Sequence, residues 1–220
     1  MKTTYSLFII FLIIFLLSCD QKPSTAPGAS PVSLVSEKGK QLFVTCIACH
    51  GKNGEGMVSL GAPSISQQED WYMIRQITYY RDGIRGSHPD DVKGATMVPM
   101  VKNLSNADIK EVVAYTKTLT PRKPEITING DIENGKNLYT TICLTCHGPD
   151  GSGDPKQNSP RLTGLQDWYL KTQIQHFRNG VRGAHPQDKY GPLVVPMVKK
   201  LKNEKEIDYV ISYINTLSSI

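Results

Sequence analysis

One short segment occurs twice in this chain and carries most of the chemistry that the sequence offers. Residues 46–50 read Cys-Ile-Ala-Cys-His, and residues 143–147, 97 positions later, read Cys-Leu-Thr-Cys-His. The correspondence continues without a gap for roughly fifty residues, and it slips by one residue on each flank. A repeat of this length indicates a duplicated structural unit rather than a duplicated motif.

The repeat divides the chain into two domains of similar size. We expect the first domain over residues 36–120, a linker over 121–129 and the second domain over 130–220. Pro121 and Pro124 stand at the junction, where proline ends a helix and favours an extended connection. Each domain is small, so a large apolar cofactor would compensate for a thin core.

Helical patterns dominate both units. Residues 70–81 place apolar and aromatic side chains at helical spacing, and Gly83 follows as a stop signal. Ser36 and Ser105 precede two further apolar-periodic segments in the manner of helix N-caps, and Asp108 completes a capping box with Ser105. No alternating strand pattern extends beyond a few residues. The sequence therefore predicts an all-α fold.

The N-terminus has the features of an export signal. Lys2 precedes an unbroken apolar run over residues 7–17, which fits a signal-peptide core and is short for a membrane span. Leu-Leu-Ser-Cys at residues 16–19 resembles the lipobox of bacterial lipoproteins. We expect a signal peptide over 1–18, lipidation of Cys19 and a flexible tether over 19–35 that is rich in Pro and Ser. An uncleaved anchor or an incidental cysteine is the alternative.

The charge pattern argues against a nucleic-acid partner. The chain has 25 Lys and Arg against 20 Asp and Glu, a net charge of +5, and no block of five like charges. A basic tail or a clustered basic face would be the usual footprint of nucleic-acid binding. We therefore expect no nucleic-acid partner.

The two Cys-x-x-Cys-His segments are open to four chemical interpretations. Two thiols three residues apart can form a disulfide, hold zinc, act as a redox pair, or attach covalently to a haem whose iron binds the adjacent histidine. A histidine directly after the second cysteine favours haem. We predict two haem c groups attached through Cys46, Cys49, Cys143 and Cys146, with His50 and His147 as axial ligands of iron.

Comparison of the two repeats narrows the candidates for the second axial ligand of each iron. Met100 corresponds to Met197, whereas Met57 and Met97 correspond to Asp154 and Val194. We therefore predict Met100 and Met197 as iron ligands, each 50 residues after its histidine and next to a proline. Ordinary core methionines, or ligation by His88 and His185, are the alternatives.

Several other polar and aromatic residues also repeat. Donors of these types could hold haem propionates, whose negative charges need partners when partly buried. The alternative is core packing for the tryptophans and solvated loop charge for the arginines. The candidates are Trp71, Trp168, Arg85, Arg182, His88 and His185.

Each repeat resembles a class I c-type cytochrome, and the tandem arrangement resembles the diheme cytochrome c4 family. The resemblance implies that a glycine and an aromatic residue on the first helix cross an aromatic residue on the last. It also implies that the carbonyls of Pro63 and Pro160 accept the second ring N–H of the ligand histidines. The crossing residues would be Gly39, Phe43 and Tyr115 in the first repeat, and Gly135, Tyr139 and Tyr213 in the second.

This resemblance implies single-electron transfer rather than enzymatic catalysis. Two irons with His and Met ligands leave no open position for a substrate, and thioether ligation favours the ferrous state. We expect a carrier tethered to the membrane of the bacterial cell envelope, facing the periplasm or the exterior. Its redox partners would be a quinol-oxidising complex and a terminal oxidase or reductase. The alternatives are a cytochrome subunit of a larger oxidoreductase and a diheme peroxidase.

Overall fold

The computed structural model describes residues 37–217. The expected signal peptide over 1–18, the tether over 19–35, the lipidation of Cys19 and the Ser36 cap lie outside the described residues. Between residues 37 and 217, no helix combines the length and apolar character needed to cross a membrane.

The part of the chain that the structure describes is built from helices in both repeats, as predicted. Its only β-type pairings are two isolated bridges at equivalent positions, Met57 with Ala62 and Asp154 with Ser159. The first repeat contains α1 Glu37–His50, α2 Asp70–Arg81, α3 Val92–Ala95, α4 Met97–Val101 and α5 Asn106–Thr116, with a short 3-10 turn over Val58–Leu60. The second contains α6 Ile132–Ile142, α7 Leu144–His147, α8 Asp167–Arg178, α9 Gly191–Val198 and α10 Glu204–Leu217, with a 3-10 turn over Pro155–Gln157.

Local sequence signals account for the helix boundaries that we predicted. The second helix spans Asp70–Arg81, and Gly83 follows it with a positive φ of 73°. Ser105 accepts a hydrogen bond from the backbone N–H of Asp108, whose carboxylate accepts one from the backbone of Ser105. This reciprocal capping box fixes the start of α5.

The first and last helices of each repeat cross at a glycine, as the resemblance implies. A β-carbon at Gly39 would collide with the backbone carbonyl of Glu111 on α5. A β-carbon at Gly135 would likewise collide with the backbone carbonyl of Tyr209 on α10. Only glycine allows the two helix backbones to approach this closely.

Aromatic pairs pack beside both crossings. The ring centroids of Phe43 and Tyr115 lie 5.2 Å apart, and those of Tyr139 and Tyr213 lie 5.4 Å apart. Both pairs are tilted, which is a favourable arrangement for aromatic rings. Because Phe43 and Tyr139 are each only 1% exposed, the crossings form part of the hydrophobic core of each repeat.

Each repeat has its own core. Burial of these side chains supplies the main driving force for folding each unit. The first core consists of Phe43, Met73, Ile109, Val112 and Val113. The second consists of Tyr139, Ile142, Leu165, Leu170, Leu201, Ile207, Val210, Ile211 and Ile214.

The connection between the repeats has no regular secondary structure but is anchored to the second repeat. Asp167, which is 1% exposed, accepts hydrogen bonds from the backbone N–H groups of Thr127 and Ile128 and from the hydroxyl of Thr127. This buried carboxylate therefore fixes the end of the connecting segment against the start of α8.

Candidate functional site

The two predicted ligand histidines occupy equivalent positions at the ends of α1 and α7. The Nδ1 atom of His50 lies 2.8 Å from the carbonyl oxygen of Pro63, and the Nδ1 atom of His147 lies 2.8 Å from that of Pro160. A carbonyl oxygen can only accept, so each Nδ1 carries the proton and donates it. Each Nε2 is therefore the basic nitrogen, available to a metal.

Burial favours the neutral form of both imidazoles. Desolvation lowers the pKa of His50 and of His147, and the hydrogen bonds to the proline carbonyls oppose this shift only in part. A neutral imidazole is the form that binds iron.

The four cysteines of the two motifs are partly buried. Burial raises the pKa of the Cys143 thiol to about 12 and also raises that of Cys46. Thiol redox pairs require the opposite shift, because the thiolate is the reactive form. Within residues 37–217, no group of three or more His, Cys, Asp or Glu side chains is arranged to hold a metal ion. The pKa shifts disfavour the redox-pair interpretation, and the arrangement of the described side chains disfavours a zinc site.

A cavity of about 290 Å³ opens beside the second motif. Cys143, Cys146, His147 and Met197 line it together. Most of the other residues that line the cavity are apolar. The cavity therefore places two thiols, an imidazole and a thioether in a hydrophobic environment. This donor set fits a covalently attached haem with His and Met ligands. Apolar lining residues include Leu165, Leu170, Ile174, Val194, Leu201 and Ile214.

The two predicted methionine ligands differ in exposure. Met197 lies on α9 and is half-buried against the second core. Met100 lies on α4 with 49% of its surface exposed, so it is not a core methionine of the first repeat. Each follows a proline, Pro99 or Pro196, within its helix.

His88 and His185 lie in equivalent turns at the surface. The Nδ1 atom of His88 accepts a hydrogen bond from the backbone N–H of Asp90, and that of His185 accepts one from Gln187. These imidazoles therefore stabilise their own turns, which disfavours the bis-histidine alternative.

The two tryptophans have different surroundings. Trp71 packs against the guanidinium of Arg75, whose central carbon lies 5.0 Å from the ring centroid. Trp168 is half-buried, and its indole N–H is buried without a hydrogen-bond partner. A buried donor without a partner destabilises the folded protein. A haem propionate, which the sequence analysis proposes as the acceptor for Trp168, would satisfy this donor.

Arg85 and Arg182 join the two repeats in a reciprocal network that sequence reasoning missed. Each arginine donates to the glutamine of its own repeat and to the glutamine and tyrosine of the other. Arg85 bonds to Gln76 at 2.8 Å, Gln173 at 2.8 Å and Tyr169 at 3.2 Å. Arg182 bonds to Gln173, Gln76 and Tyr72, each at 2.8 Å. The repeat pairs Gln76 with Gln173 and Tyr72 with Tyr169, a signal that could have identified the network.

A second reciprocal pair of hydrogen bonds follows the same symmetry. The backbone N–H of Ser64 donates to the side-chain oxygen of Gln166 at 2.9 Å. The backbone N–H of Arg161, the equivalent of Ser64, donates to Glu69, the equivalent of Gln166, at 3.3 Å. The repeats therefore pack through an approximate two-fold interface, like the isologous interface of a homodimer.

The arginine network leaves positive charge in need of an anion. Arg85 is 8% exposed, its hydrogen-bond partners are neutral, and its Nε–H is buried without a partner. Arg182 lines the cavity beside His147. Buried charge is stabilised by an opposite charge, so an anionic cofactor edge at this interface fits the residues present.

Comparison with known proteins matches residues 36–120 and 132–218 to the cytochrome c family. A cytochrome c4 of Azotobacter vinelandii is 28% identical over 191 residues, covering 81% of this chain and 87% of that protein. A thiosulfate dehydrogenase electron acceptor of Thiomonas intermedia is 31% identical over 156 residues, covering 64% of this chain and 66% of that protein. The crystal structure of cytochrome c4 from Pseudomonas stutzeri superposes with a TM-score of 0.62 at 24% identity, covering 81% of this chain and 96% of that one.

The chain belongs to the cytochrome c family, and it carries the family's domain twice. It is homologous to cytochrome c4 and is a diheme electron carrier of that kind, with two covalently bound haem c groups. The predictions of fold class, family and cofactor are confirmed.

Proposed function

We propose that this protein is a membrane-tethered diheme cytochrome that passes single electrons between respiratory chain components in the bacterial cell envelope. The observation that carries the proposal is the hydrogen bond of 2.8 Å from His Nδ1 to a proline carbonyl, present in both repeats. It prepares two equivalent histidines to bind iron, and two equivalent sites suit electron transfer better than catalysis at unlike haems.

In this proposal the cysteines attach each haem covalently, and a histidine and a methionine bind its iron. Cys46, Cys49, Cys143 and Cys146 would form the thioether bonds, and His50 with Met100 and His147 with Met197 would hold the two irons. Pro63 and Pro160 orient the histidine rings and keep the Nε2 nitrogens basic. When bound, haem would supply an iron that gains or loses one electron.

The interface residues would hold the propionate edges of the haems. Arg85 and Arg182 bring buried positive charge between the repeats, and Trp168 brings a buried indole donor without a partner. Charge-assisted hydrogen bonds to carboxylates are about twice as strong as neutral ones. This arrangement would also bring the acidic edges of both haems to the interface.

A second candidate function is that of a cytochrome subunit in a larger oxidoreductase. It is favoured by the similarity to a thiosulfate dehydrogenase electron acceptor, which covers 64% of this chain. The donor would then be a dehydrogenase rather than a quinol-oxidising complex. Stable co-purification with a dehydrogenase after detergent extraction would favour this candidate over a mobile carrier.

A diheme peroxidase is the less favoured alternative. Such an enzyme would turn over peroxide after it has been reduced.

Electron transfer and membrane attachment can be tested together on the full chain. The reduced protein is added to membranes from the host that contain a terminal oxidase, and its reoxidation is followed optically. We expect rapid reoxidation that an oxidase inhibitor blocks, and no reoxidation by peroxide alone. The Cys19→Ser variant should retain both haems but move to the soluble fraction. A variant that stays in the membrane would contradict lipid tethering without affecting electron transfer.

A further inference from the structure

Position 75 faces the other repeat and is occupied by a different residue in each repeat. Arg75 lies on α2, and the equivalent position on α8 is Thr172. The hydroxyl of Thr172 donates to the backbone carbonyl of Trp168 within its own helix, 2.9 Å away. Only the first repeat therefore sends a cationic side chain across from this position.

Arg75 enters the wall of the cavity in the second repeat. Its guanidinium donates to the side-chain oxygen of Asn158 at 3.3 Å and to the backbone carbonyl of Asn158 at 3.1 Å. Its central carbon also lies 4.4 Å from the ring centroid of Tyr190. Arg75, Asn158 and Tyr190 all line the cavity that contains His147 and Met197.

These hydrogen bonds hold the guanidinium without neutralising it. An amide oxygen and a peptide carbonyl carry no net charge, and the aromatic ring offers only its electron-rich face. Burial lowers the pKa of Arg75 from its ordinary value, but arginine remains a cation at neutral pH. A full positive charge therefore stands at this wall of the cavity.

The other charged side chains that line the cavity have an equivalent in the first repeat or lie in an ion pair. Arg182 and Asp188 line the cavity, and their equivalents Arg85 and Asp91 stand in the first repeat. Arg161 has Ser64 as its equivalent, but its guanidinium lies 3.9 Å from the carboxylate of Glu69. Arg75 therefore gives the cavity of the second repeat a positive charge that has no equivalent in the first repeat.

We infer that Arg75 of the first repeat belongs to the haem site of the second and raises the reduction potential of that haem relative to the other. The inference rests on the proposed attachment of a haem at Cys143 and Cys146. Reduction of ferric haem by one electron removes one positive charge, so a nearby fixed cation favours the ferrous form. Electrons shared between the two haems would therefore reside mainly on the second.

The test measures the two potentials separately in the full holoprotein. Haem-methyl resonances of the ferric state, followed by NMR during a redox titration, report each haem individually. Arg75→Gln keeps hydrogen-bonding groups but removes the charge, and Arg75→Lys keeps the charge. We expect Arg75→Gln to reduce the preference of the electron for the second haem roughly tenfold, a shift of about 59 mV for a one-electron couple. Arg75→Lys should preserve most of that preference.

A matched control removes a positive charge elsewhere on the second repeat. Lys136 is exposed on α6, and Lys136→Gln should leave the difference between the two potentials unchanged. The inference is overturned if Arg75→Gln shifts both haems equally, shifts mainly the first, or shifts neither. If Arg75→Gln loses haem, Arg75→Thr, which carries the residue of the equivalent position in the second repeat, is measured instead, and the same outcomes support or overturn the inference. Two haems with His and Met ligands in the unaltered protein would sustain the proposed function in either case.

Discussion

Arg85 of the first repeat and Gln173 of the second are joined by a hydrogen bond of 2.8 Å across the interface. The same glutamine oxygen accepts a second bond of 2.8 Å from Arg182, and Gln76 bridges the same two arginines in the mirrored sense. Four side chains thus form a closed ring between the repeats. Each repeat therefore supplies hydrogen-bond partners for buried side chains of the other repeat. Two independently folded domains would not make such contacts.

The bridging role of Gln173 predicts a loss of stability on its removal. Gln173→Leu removes one of the two acceptors that Arg85 and Arg182 share, and a hydrogen bond to a charged group contributes about 2 kcal/mol. We expect the free energy of unfolding of the holoprotein to fall by roughly that amount, as measured by denaturant titration. Gln41→Leu, at an exposed position on α1, should be close to neutral. Equal stability in both variants would show that the ring does not hold the repeats together.

The close helix crossing in the second repeat predicts a steric penalty at Gly135. Its added β-carbon would meet the backbone carbonyl of Tyr209, which cannot move aside as a flexible side chain could. Overpacking of this kind costs about 2 kcal/mol. Gly135→Ala should therefore lower the thermal midpoint of the holoprotein, whereas Lys136→Ala at the exposed neighbouring position should leave it nearly unchanged. An unchanged midpoint for Gly135→Ala would refute the close approach.

His176 predicts how stability depends on pH at the interface. Its Nδ1 lies 3.8 Å from a carboxylate oxygen of Asp91. Burial lowers the pKa of His176, Asp91 opposes the shift, and nearby positive groups add to it. The unfolded chain therefore takes up the proton first, at about pH 6.5. Stability from this residue should be complete above that pH and decline as the pH falls below it.

The repeat supplies the test variant for this pH dependence. Tyr79 is the equivalent of His176, so His176→Tyr should flatten the fall in unfolding free energy between about pH 6.5 and pH 5. His185→Gln serves as the control, because the imidazole of His185 accepts a hydrogen bond within its own turn in the second repeat. If the control flattens the profile and His176→Tyr does not, the assignment to His176 is wrong.

The two proposed methionine ligands predict separable spectral changes. Ligation by a thioether gives ferric haem an absorption band in the red, so Met100→Ala and Met197→Ala should each remove about half of it. Each substitution should also lower the potential of its own haem, because thioether ligation favours the ferrous state. Met57→Leu and Met97→Leu are matched controls in the first repeat and should preserve the full band. Loss of the band in Met97→Leu would reassign the first ligand.

Much of this architecture could be predicted because short sequence patterns determine it. Residues 70–81 have helical spacing, the Ser105 and Asp108 pair is a capping box, and two Cys-x-x-Cys-His segments identify the cofactor. Gly39 and Gly135 were identified through the resemblance, and the structure shows why a larger residue would not fit there. These features depend on contacts within one repeat, where the spacing along the chain constrains the geometry.

The interface could not be predicted in the same way, because its contacts join residues about 90 positions apart. Repetition alone indicates Arg85 and Arg182 as propionate partners, but the spacing along the chain does not show that Gln76 and Gln173 contact them. Repetition does not indicate Arg75, because the equivalent position in the second repeat is Thr172. Its contacts with Asn158 and Tyr190 exist only once the repeats pack together.

The most direct test of the account is a spectropotentiometric titration of the full purified protein. It counts the haems, and its spectra identify the axial ligands while the potential is varied. The account predicts two covalently attached haems per chain, a red band typical of methionine ligation in the oxidised state, and two reversible one-electron steps. A single haem, or two haems whose oxidised spectra lack the methionine band throughout, would contradict it.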